Sequence, residues 1–491
     1  MASRSRGVSS AKGIQDILWK AANRLRGTMD ASQYKEFVLG LVFLKYVSDA
    51  FGERRAQLGG ADERERYAGV FWVPESARWD HLAGNAGGDI GRLLDDAMGA
   101  IMRENPALSG VLPKIFRRGA VDAGRLRELV GLISDARFTG HGRAAQDVLG
   151  EVYEYFLEKF ARAEGKRAGE FYTPASVVKL LVDVLEPDHG TVYDPCCGSG
   201  GMFVQAGRGH GRDIAVFGQE GNERTWRLAK MNLAIHGMDP NGIGDRWADT
   251  FADDRHPGLR ADFILANPPF NMSGWDRKEE DSRWVYGLPP RGNANFAWLQ
   301  HMVAKLADGG SAGVVLSNGS MSSKLSGEGE IRRRLVEDDL VACMVALPGN
   351  LFRTTAIPAC LWFLRRDKGA RRGEILFVDA RGLGTMVDRT ERVLTGADIA
   401  RIADTYHSWR SLTAYADVPG FCCSATLDQV AANDHILTPG RYVGAASAAD
   451  DPDAEPAADR IARLTKELFA EFEESARLEA AVREQLGKLD G

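Results

Sequence analysis

The apolar positions in the first part of the chain repeat at helical spacing. Residues 90–102, 123–133 and 145–160 each show this pattern, and two further helices are predicted before them. A helical domain over residues 1–160 accounts for the whole stretch. The two earlier helices are defined by Ile14, Ile17, Leu18, Ala21 and Leu25, and, after Gly27, by Tyr34, Phe37, Val38, Leu41, Leu44, Val47 and Phe51, with Gly59 and Gly60 ending the second.

From about residue 165 the pattern changes to an apolar strand, a glycine turn and a helix, repeated several times. Such alternation is typical of an α/β fold with a mostly parallel sheet and helices on both faces. The strands near Val345 and Trp362 are too close in sequence for a crossover helix, so we expect them to form an antiparallel hairpin at one sheet edge. This domain is assigned to residues 161–444. Seven strands are predicted at 191–194, 214–220, 263–267, 312–317, 341–347, 360–364 and 375–378, and helices at 175–185, 201–206, 223–236, 294–307 and 330–337.

The last segment, residues 445–491, begins with a stretch of Ala, Asp and Pro at 445–458 that is typical of a linker. A helix follows, with an apolar seam that Glu471, Ser475 and Gln485 interrupt. Such a seam needs a partner, which is either another chain in a coiled coil or the rest of this chain. The seam comprises Ile461, Leu464, Leu468, Leu478, Val482 and Leu489.

Composition narrows the class of protein. The chain has 491 residues, with 62 Lys and Arg against 68 Asp and Glu, so its formal net charge of −6 excludes nucleic-acid binding through overall basicity. No apolar run approaches the roughly 18 residues that span a bilayer, and the N-terminus lacks a signal-peptide core. The six cysteines show no CxxC spacing, which predicts neither a zinc site nor a disulfide framework. We therefore expect a soluble, cytoplasmic protein without a metal site.

Two acidic and glycine-rich segments follow the first two predicted strands. Asp194-Pro-Cys-Cys-Gly198-Ser-Gly200-Gly lies between a strand and a helix, where glycines let the backbone approach a ligand. Glu220 ends the next strand, at the position where a carboxylate can accept hydrogen bonds from both ribose hydroxyls. The loop is not GxGxxG, which favours a nucleoside ligand without phosphates. Taken separately, a tight turn and a solvated carboxylate would also explain these residues.

The segment Asn267-Pro268-Pro269-Phe270 follows the apolar strand at 263–266. The two prolines stiffen the backbone and remove two N–H donors. Carbonyl and amide oxygens then form an acceptor-rich surface beside an aromatic ring, as an exocyclic amine on a planar base requires. Together with the glycine loop, this segment indicates chemistry on such an amine.

These motifs resemble those of S-adenosylmethionine-dependent amino-methyltransferases. The order of Gly-Glu-Phe-Tyr-Thr-Pro at 169–174, the glycine loop and then Asn-Pro-Pro-Phe is similar to that of the gamma class of N6-adenine DNA methyltransferases. The helical segment at 18–46 and the segments at 347–352 and 357–362 resemble the methylation subunits of type I restriction-modification systems. The resemblance extends from about residue 12 to residue 440, and it implies a Rossmann-like methyltransferase sheet.

The resemblance also implies roles for individual residues. Asn267, Pro268 and Phe270 are expected to be catalytic, with the adenine flipped out of the duplex against Phe270. Cys196 and Cys197 are interpreted as small packing residues. Thr173 and Pro174 are also expected to begin a helix, as its N-cap and its first residue. Asp249 is expected to follow a strand-like segment at 245–248. The residues expected to bind S-adenosyl-L-methionine are Phe171, Tyr172, Thr173, Asp194, Gly198, Gly200, Glu220 and Asp249.

The resemblance implies DNA, a specificity subunit and a second copy of the chain as partners. Since no GxxxxGK[ST] loop is present, cleavage and ATP-driven translocation are expected to belong to a separate restriction subunit. Two alternatives stay open: an amino-methyltransferase acting on RNA adenine or protein glutamine, and a non-catalytic subunit with the same fold. For the polar segment at 271–293, with Trp275, Trp284 and Tyr286 among basic residues, a DNA-facing loop and an ordinary surface loop are both open.

Overall fold

The computed structural model describes residues 13–479 except 17–18, 21–30, 60–66, 68, 118–120, 137–144, 165–172, 210–212, 353–355, 446–460 and the single positions 467, 470, 474 and 476. Residues 1–443 and 444–491 form two compact units. Among the described helices, none combines the length and apolar character needed to cross a bilayer.

The N-terminal helices follow the predicted apolar patterns. They bury one core in which side chains from all of them meet, including Phe43, Leu94, Leu129 and Phe156. Asp89 and Asp122 cap two of these helices by accepting hydrogen bonds from backbone N–H groups. The helices are α1 (Ala31–Gln57), α2 (Trp79–Gly84), α3 (Ile90–Glu104), α4 (Ala123–Ser134) and α5 (Ala145–Glu164); the described residues of the earlier predicted helix, 13–16 and 19–20, are helical.

All seven predicted strands are present in one sheet, which has an eighth strand at one edge. The eighth strand is β10 (Cys422–Thr426), and two short strands, β8 (Thr385–Met386) and β9 (Arg392–Val393), pair with each other outside this sheet. The seven predicted strands are β1 (His189–Asp194), β2 (Asp213–Gly218), β3 (Ala261–Ala266), β4 (Leu306–Ser317), β5 (Val341–Ala346), β6 (Ala359–Arg365) and β7 (Glu374–Asp379). The order is β10-β7-β5-β6-β4-β3-β1-β2. Strands β2, β1, β3 and β4 are parallel to one another, and β5 is parallel to β7.

The antiparallel pairing of β5 with β6 is confirmed, but its predicted position at the edge is wrong. Strand β6 lies between β5 and β4 and is antiparallel to both. Its residues Ala359 to Leu364 are all apolar and buried, which suits a strand covered on both faces and paired on both sides. The outer position belongs to β10, which pairs with β7 in antiparallel orientation and is too short and polar to have been predicted.

Helices cover both faces of the sheet. Alternate residues of each strand enter two cores: Leu361 and Phe363 of β6 face one, and Trp362 and Leu364 face the other. The helices are α6 (Ala175–Leu185), α7 (Gly201–Gly209), α8 (Glu223–Ile235), α9 (Asn295–Lys305), α10 (Glu328–Glu337), α11 (Gly396–Ser411) and α12 (Leu427–Ala432).

Helix α8 also joins the sheet to the N-terminal helices. Its Trp226 and Leu233 pack in a core of the sheet, whereas Leu228, Met231 and Ile235 are part of the N-terminal core. The N-terminal helices therefore share apolar packing with the helix that follows Glu220.

In the second unit, the described positions between 461 and 479 are helical. Six large apolar side chains in this segment are exposed: Ile461, Leu464, Leu468, Phe469, Phe472 and Leu478. The predicted linker from 446 onward, Val482 and Leu489 lie outside the described residues, and the partner of the seam stays a prediction.

Candidate active site

The glycine loop joins the carboxyl end of β1 to α7. The Asp194 carboxylate accepts a hydrogen bond of 3.0 Å from the backbone N–H of Cys196, which turns the chain sharply after the strand. Gly198 and Gly200 have φ angles of +54° and +75°, a region that side-chain-bearing residues rarely adopt. A Cβ added to Gly198 would meet no atom within 4 Å. The loop thus presents bare backbone to open space.

Glu220 lies beside this loop because β2 is the neighbour of β1. One carboxylate oxygen of Glu220 accepts a 3.0 Å hydrogen bond from the N–H of Gly198, and the other accepts one of 2.8 Å from the N–H of Asn222. The two acidic positions predicted from the sequence, Asp194 and Glu220, therefore flank a single loop at the carboxyl ends of β1 and β2.

Asp249 also lies near the carboxyl end of β2. The N–H of its neighbour Ala248 donates a 2.9 Å hydrogen bond to the carbonyl oxygen of Glu220. The exposed carboxylate of Asp249 accepts hydrogen bonds from the N–H groups of Phe251 and Ala252 and so caps its own turn. The strand-like segment predicted at 245–248 is not a strand but an irregular connection.

The motif Asn267-Pro-Pro-Phe270 follows β3, the other neighbour of β1. The Asn267 side-chain nitrogen donates a hydrogen bond of 2.8 Å to the hydroxyl oxygen of Thr173. Thr173 is not the N-cap predicted for it: α6 begins at Ala175 with Pro174 at the N-cap position and no side-chain cap. Its hydroxyl instead accepts the hydrogen bond from Asn267. Phe171 and Tyr172 lie outside the described residues.

Phe270 packs edge-on against Phe352, with ring centroids 5.9 Å apart and an interplanar angle of 70°. Pro268 is buried, whereas Asn267 and Phe270 are half-buried. The ring of Phe270 is thus supported on one side by the segment that follows β5, while part of its surface stays accessible.

A network of amides that the sequence analysis missed holds the backbone just after this motif. Asn271 has a φ of +53°. Its side-chain oxygen accepts hydrogen bonds from Asn295 Nδ2 at 2.9 Å and Ser317 Oγ at 3.1 Å, and its N–H donates to Asn295 Oδ1 at 3.0 Å. Asn295 is 1% exposed in the apolar helix α9, and a buried amide there is a signal that sequence analysis could have used.

A cavity of about 430 Å³ opens beside the glycine loop. Of the predicted site residues, Thr173, Asp194, Gly198 and Asn267 line it, whereas Gly200, Glu220, Asp249, Pro268 and Phe270 do not. Side chains from the N-terminal helices also line the cavity, although none was predicted as a site residue: Gln15, Lys35, Glu151, Glu154, Tyr155 and Leu157.

Burial sets the charge state of the groups on the loop. It raises the pKa of Asp194 to about 7, and the nearby Glu220 carboxylate adds to the effect. Burial also raises the pKa of the Cys196 and Cys197 thiols well above their ordinary value, so both stay protonated and unreactive at neutral pH. Among the described residues, no group of three or more His, Cys, Asp or Glu could hold a metal ion.

The segment 271–293 is folded onto the sheet, and its tryptophans are core residues. Trp275 and Trp284 are buried and pack against Phe251. Arg283 forms an ion pair with Asp281 and donates hydrogen bonds to the carbonyl oxygens of residues 250 and 251. These aromatic rings are therefore used for packing; the contact of the segment with DNA stays a prediction.

The chain is similar to known proteins over most of its length. The pattern described as N-6 DNA methylase matches residues 144–451, and that of the HsdM N-terminal domain matches residues 14–134. The chain is 48% identical to the type I restriction enzyme HindI methylase subunit of Haemophilus influenzae, over 85% of this chain and 99% of that protein. It is 36% identical to the MjaIX methylase subunit of Methanocaldococcus jannaschii, over 97% and 91% of the two chains.

A solved structure shows the same architecture. The type I restriction-modification methyltransferase subunit from Streptococcus thermophilus superposes with a TM-score of 0.78 at 26% identity, covering 89% of this chain and all of that one.

Proposed function

This chain belongs to the N-6 DNA methylase family, with the methylase subunits of type I restriction enzymes as its relatives, and we propose that it transfers the methyl group of S-adenosyl-L-methionine to the N6 amine of adenine in DNA. The observation that carries this proposal is the meeting of the Asn267 amide and the glycine loop at one cavity.

The residues of the site fit the cofactor. The open backbone at Gly198 allows the close approach of its methionine part, while Asp194 offers a carboxylate to its cationic groups. Glu220, on the next strand, is positioned to accept hydrogen bonds from the ribose hydroxyls in place of the N–H groups that it now binds. Gly200 shapes the loop, Asp249 is assigned to the adenine end, and Phe171, Tyr172 and Thr173 to the methionine end. When bound, the cofactor supplies an electrophilic methyl group.

The chain's part in the reaction is to position the amine and accept its hydrogens. The N6 nitrogen is a weak nucleophile because its lone pair is delocalised into the ring. Asn267 Oδ1 and the Pro268 carbonyl oxygen accept hydrogen bonds from its two N–H groups, which favours a more tetrahedral nitrogen. Phe270 stacks on the base. Since one proton leaves only after methyl transfer, no strong base is needed, and alignment contributes most of the rate.

Adenine in a duplex is out of reach of this site, so the base must be flipped into it. With a net charge of −6 the chain lacks a generally basic surface. We propose that a specificity subunit supplies most of the DNA binding and selects the sequence, with two copies of this chain in the complex, a separate restriction subunit for cleavage, and the exposed seam at 461–479 used in assembly. The division into a helical domain at 1–160, a methyltransferase domain at 161–444 and an assembly segment at 445–491 belongs to the same proposal.

A parallel assay tests the substrate. Radiolabelled S-adenosylmethionine is incubated with the chain and its specificity subunit in the presence of DNA, RNA or protein. Label in DNA supports the proposal; label in RNA or protein alone, with intact cofactor binding, would assign the site to a different amine.

A further inference from the structure

The cavity beside the glycine loop is completed by the N-terminal helices. Lys35 of α1 and Glu151 and Glu154 of α5 line it together with Asp194 and Gly198 of the loop. Two regions of the chain that are distant in sequence therefore line the same cavity of about 430 Å³.

Specific contacts hold the N-terminal helices against the helices that follow the loop. Arg208 of α7 donates a 2.9 Å hydrogen bond to Glu154, and Arg224 of α8 lies 3.7 Å from the carboxylate of Glu36. Burial raises the pKa of Glu36, the residue next to Lys35. Helix α8 also packs in the N-terminal core together with Phe37 and Val38, which follow Lys35 on α1.

The charges around the cavity are unequal. Of the described residues that line it, Lys35 is the only one with a cationic side chain, whereas Asp194, Glu151 and Glu154 bear carboxyl groups. A ligand with several positive groups and one negative group matches such a wall. The amino-acid end of the proposed cofactor has this character: an ammonium and a sulfonium, both positive, and a single α-carboxylate.

We propose that the ammonium group of Lys35 binds the α-carboxylate of the cofactor's methionine part, so that the N-terminal helical domain supplies a binding residue of the methyl-donor site. This inference rests on the proposed function. The half-buried position of Lys35 reduces solvent screening of the pair, and a charge-assisted hydrogen bond of this kind corresponds to about a tenfold or larger change in affinity.

The test compares two ligands that differ only in the carboxylate. Isothermal titration calorimetry measures the Kd of S-adenosylmethionine and of decarboxylated S-adenosylmethionine for the full chain and for Lys35→Ala. We expect the unmodified chain to prefer S-adenosylmethionine by about tenfold or more, and Lys35→Ala to bind the two ligands about equally. Lys35→Arg, which keeps the charge, should retain most of the preference.

Lys179→Ala serves as the control, because Lys179 lies on α6 in an ion pair with Asp183 and does not line the cavity. It should leave both Kd values unchanged. If Lys35→Ala weakens both ligands by the same factor, or changes neither, the inference is wrong even though the site binds the cofactor. If the unmodified chain binds neither ligand, the proposed function itself fails.

Discussion

The side-chain nitrogen of Asn267 donates a 2.8 Å hydrogen bond to the hydroxyl oxygen of Thr173, which lies 94 residues earlier in the chain. This bond fixes the plane of the Asn267 amide at the edge of the cavity. This orientation makes the amide nitrogen the donor to Thr173, and the amide oxygen is the atom that we propose as the acceptor for the substrate amine. A residue proposed for the cofactor site thereby orients the amide that we propose as catalytic.

Replacing Thr173 by valine tests this orientation. The change removes the hydroxyl acceptor at nearly constant volume, so we expect kcat for methyl transfer to fall about fivefold, in line with the loss of a hydrogen bond worth about 1 kcal/mol. Thr173→Ser keeps the hydroxyl and should retain most of the rate. Single-turnover kinetics measure the effect, and equal rates for the valine and serine variants would contradict it.

Asn295 is predicted to be a positioning residue for the catalytic motif. Asn295→Ala removes two reciprocal hydrogen bonds with Asn271, so the backbone after Phe270 can shift and kcat should fall by about 10- to 100-fold, with little change in the Kd of S-adenosylmethionine.

Asn105 provides the matched control for that variant. It makes a similar reciprocal pair of 2.9 Å hydrogen bonds with the backbone of Trp72 in the helical domain, away from the cavity lining. Asn105→Ala should lower thermal stability without lowering kcat per folded molecule. If both variants lose activity only in proportion to their loss of folded protein, Asn295 has a structural role alone.

The affinity for S-adenosylmethionine is expected to depend on pH through Asp194. Burial raises the pKa of this carboxyl to about 7, so it is largely protonated at pH 6 and largely ionised at pH 8. A cationic ligand favours the ionised form, and the Kd should therefore decrease as the pH rises through 7. Asp194→Asn, which can still accept the hydrogen bond from Cys196, should abolish this dependence in titrations between pH 6 and 8; an unchanged pH profile would contradict the assignment.

The same raised pKa has an opposite consequence for the ligand-free protein. Between the ordinary carboxyl pKa near 4 and the folded value of about 7, the folded state binds a proton that the unfolded state has lost. The free energy of unfolding should therefore decrease as the pH rises across this interval, and by less in Asp194→Asn. Urea denaturation at several pH values measures the difference between the two proteins.

Arg283 is expected to be essential for the fold of the segment after the motif. It pairs with Asp281, and both side chains are almost buried. Arg283→Ala leaves that carboxylate without its cation and should cost about 3–5 kcal/mol in unfolding free energy. Arg283→Lys should recover only part of this, because lysine cannot reproduce the forked contacts with two backbone carbonyls. A lysine variant as stable as the parent would refute the geometric argument.

The strands and the loops at their carboxyl ends could be predicted from sequence because their signals are local. Each of the seven strands is a short apolar run, and Gly198 and Gly200 mark a turn that needs positive φ angles. The position of β6 inside the sheet was missed because pairing order depends on contacts between distant segments. Its run of six buried apolar residues nevertheless argues against an edge.

The parts of the site that sequence analysis missed depend on long-range packing. Asn295, the first residue of α9, contacts Asn271 after β3, and Lys35 of α1 lines the cavity together with the glycine loop. Asn295 lies in no motif, and Lys35 lies in the segment at 18–46 that resembles the family but gave no sign that it lines a cavity. For Asp249, the local prediction was wrong, because no strand is present at 245–248. A hydrogen bond from the N–H of Ala248 to the carbonyl oxygen of Glu220 nevertheless holds Asp249 near the end of β2.

We propose that Asn267, which lines the cavity beside the glycine loop, positions the N6 amine of adenine in DNA for methyl transfer. This role of Asn267 is tested most directly by incubating the chain and its specificity subunit with radiolabelled S-adenosylmethionine and DNA, and then digesting the DNA to nucleosides. We predict label in N6-methyl-2′-deoxyadenosine from the parent chain and none from Asn267→Ala, with cofactor binding largely retained. Label in another nucleoside, or undiminished transfer by Asn267→Ala, would contradict the account.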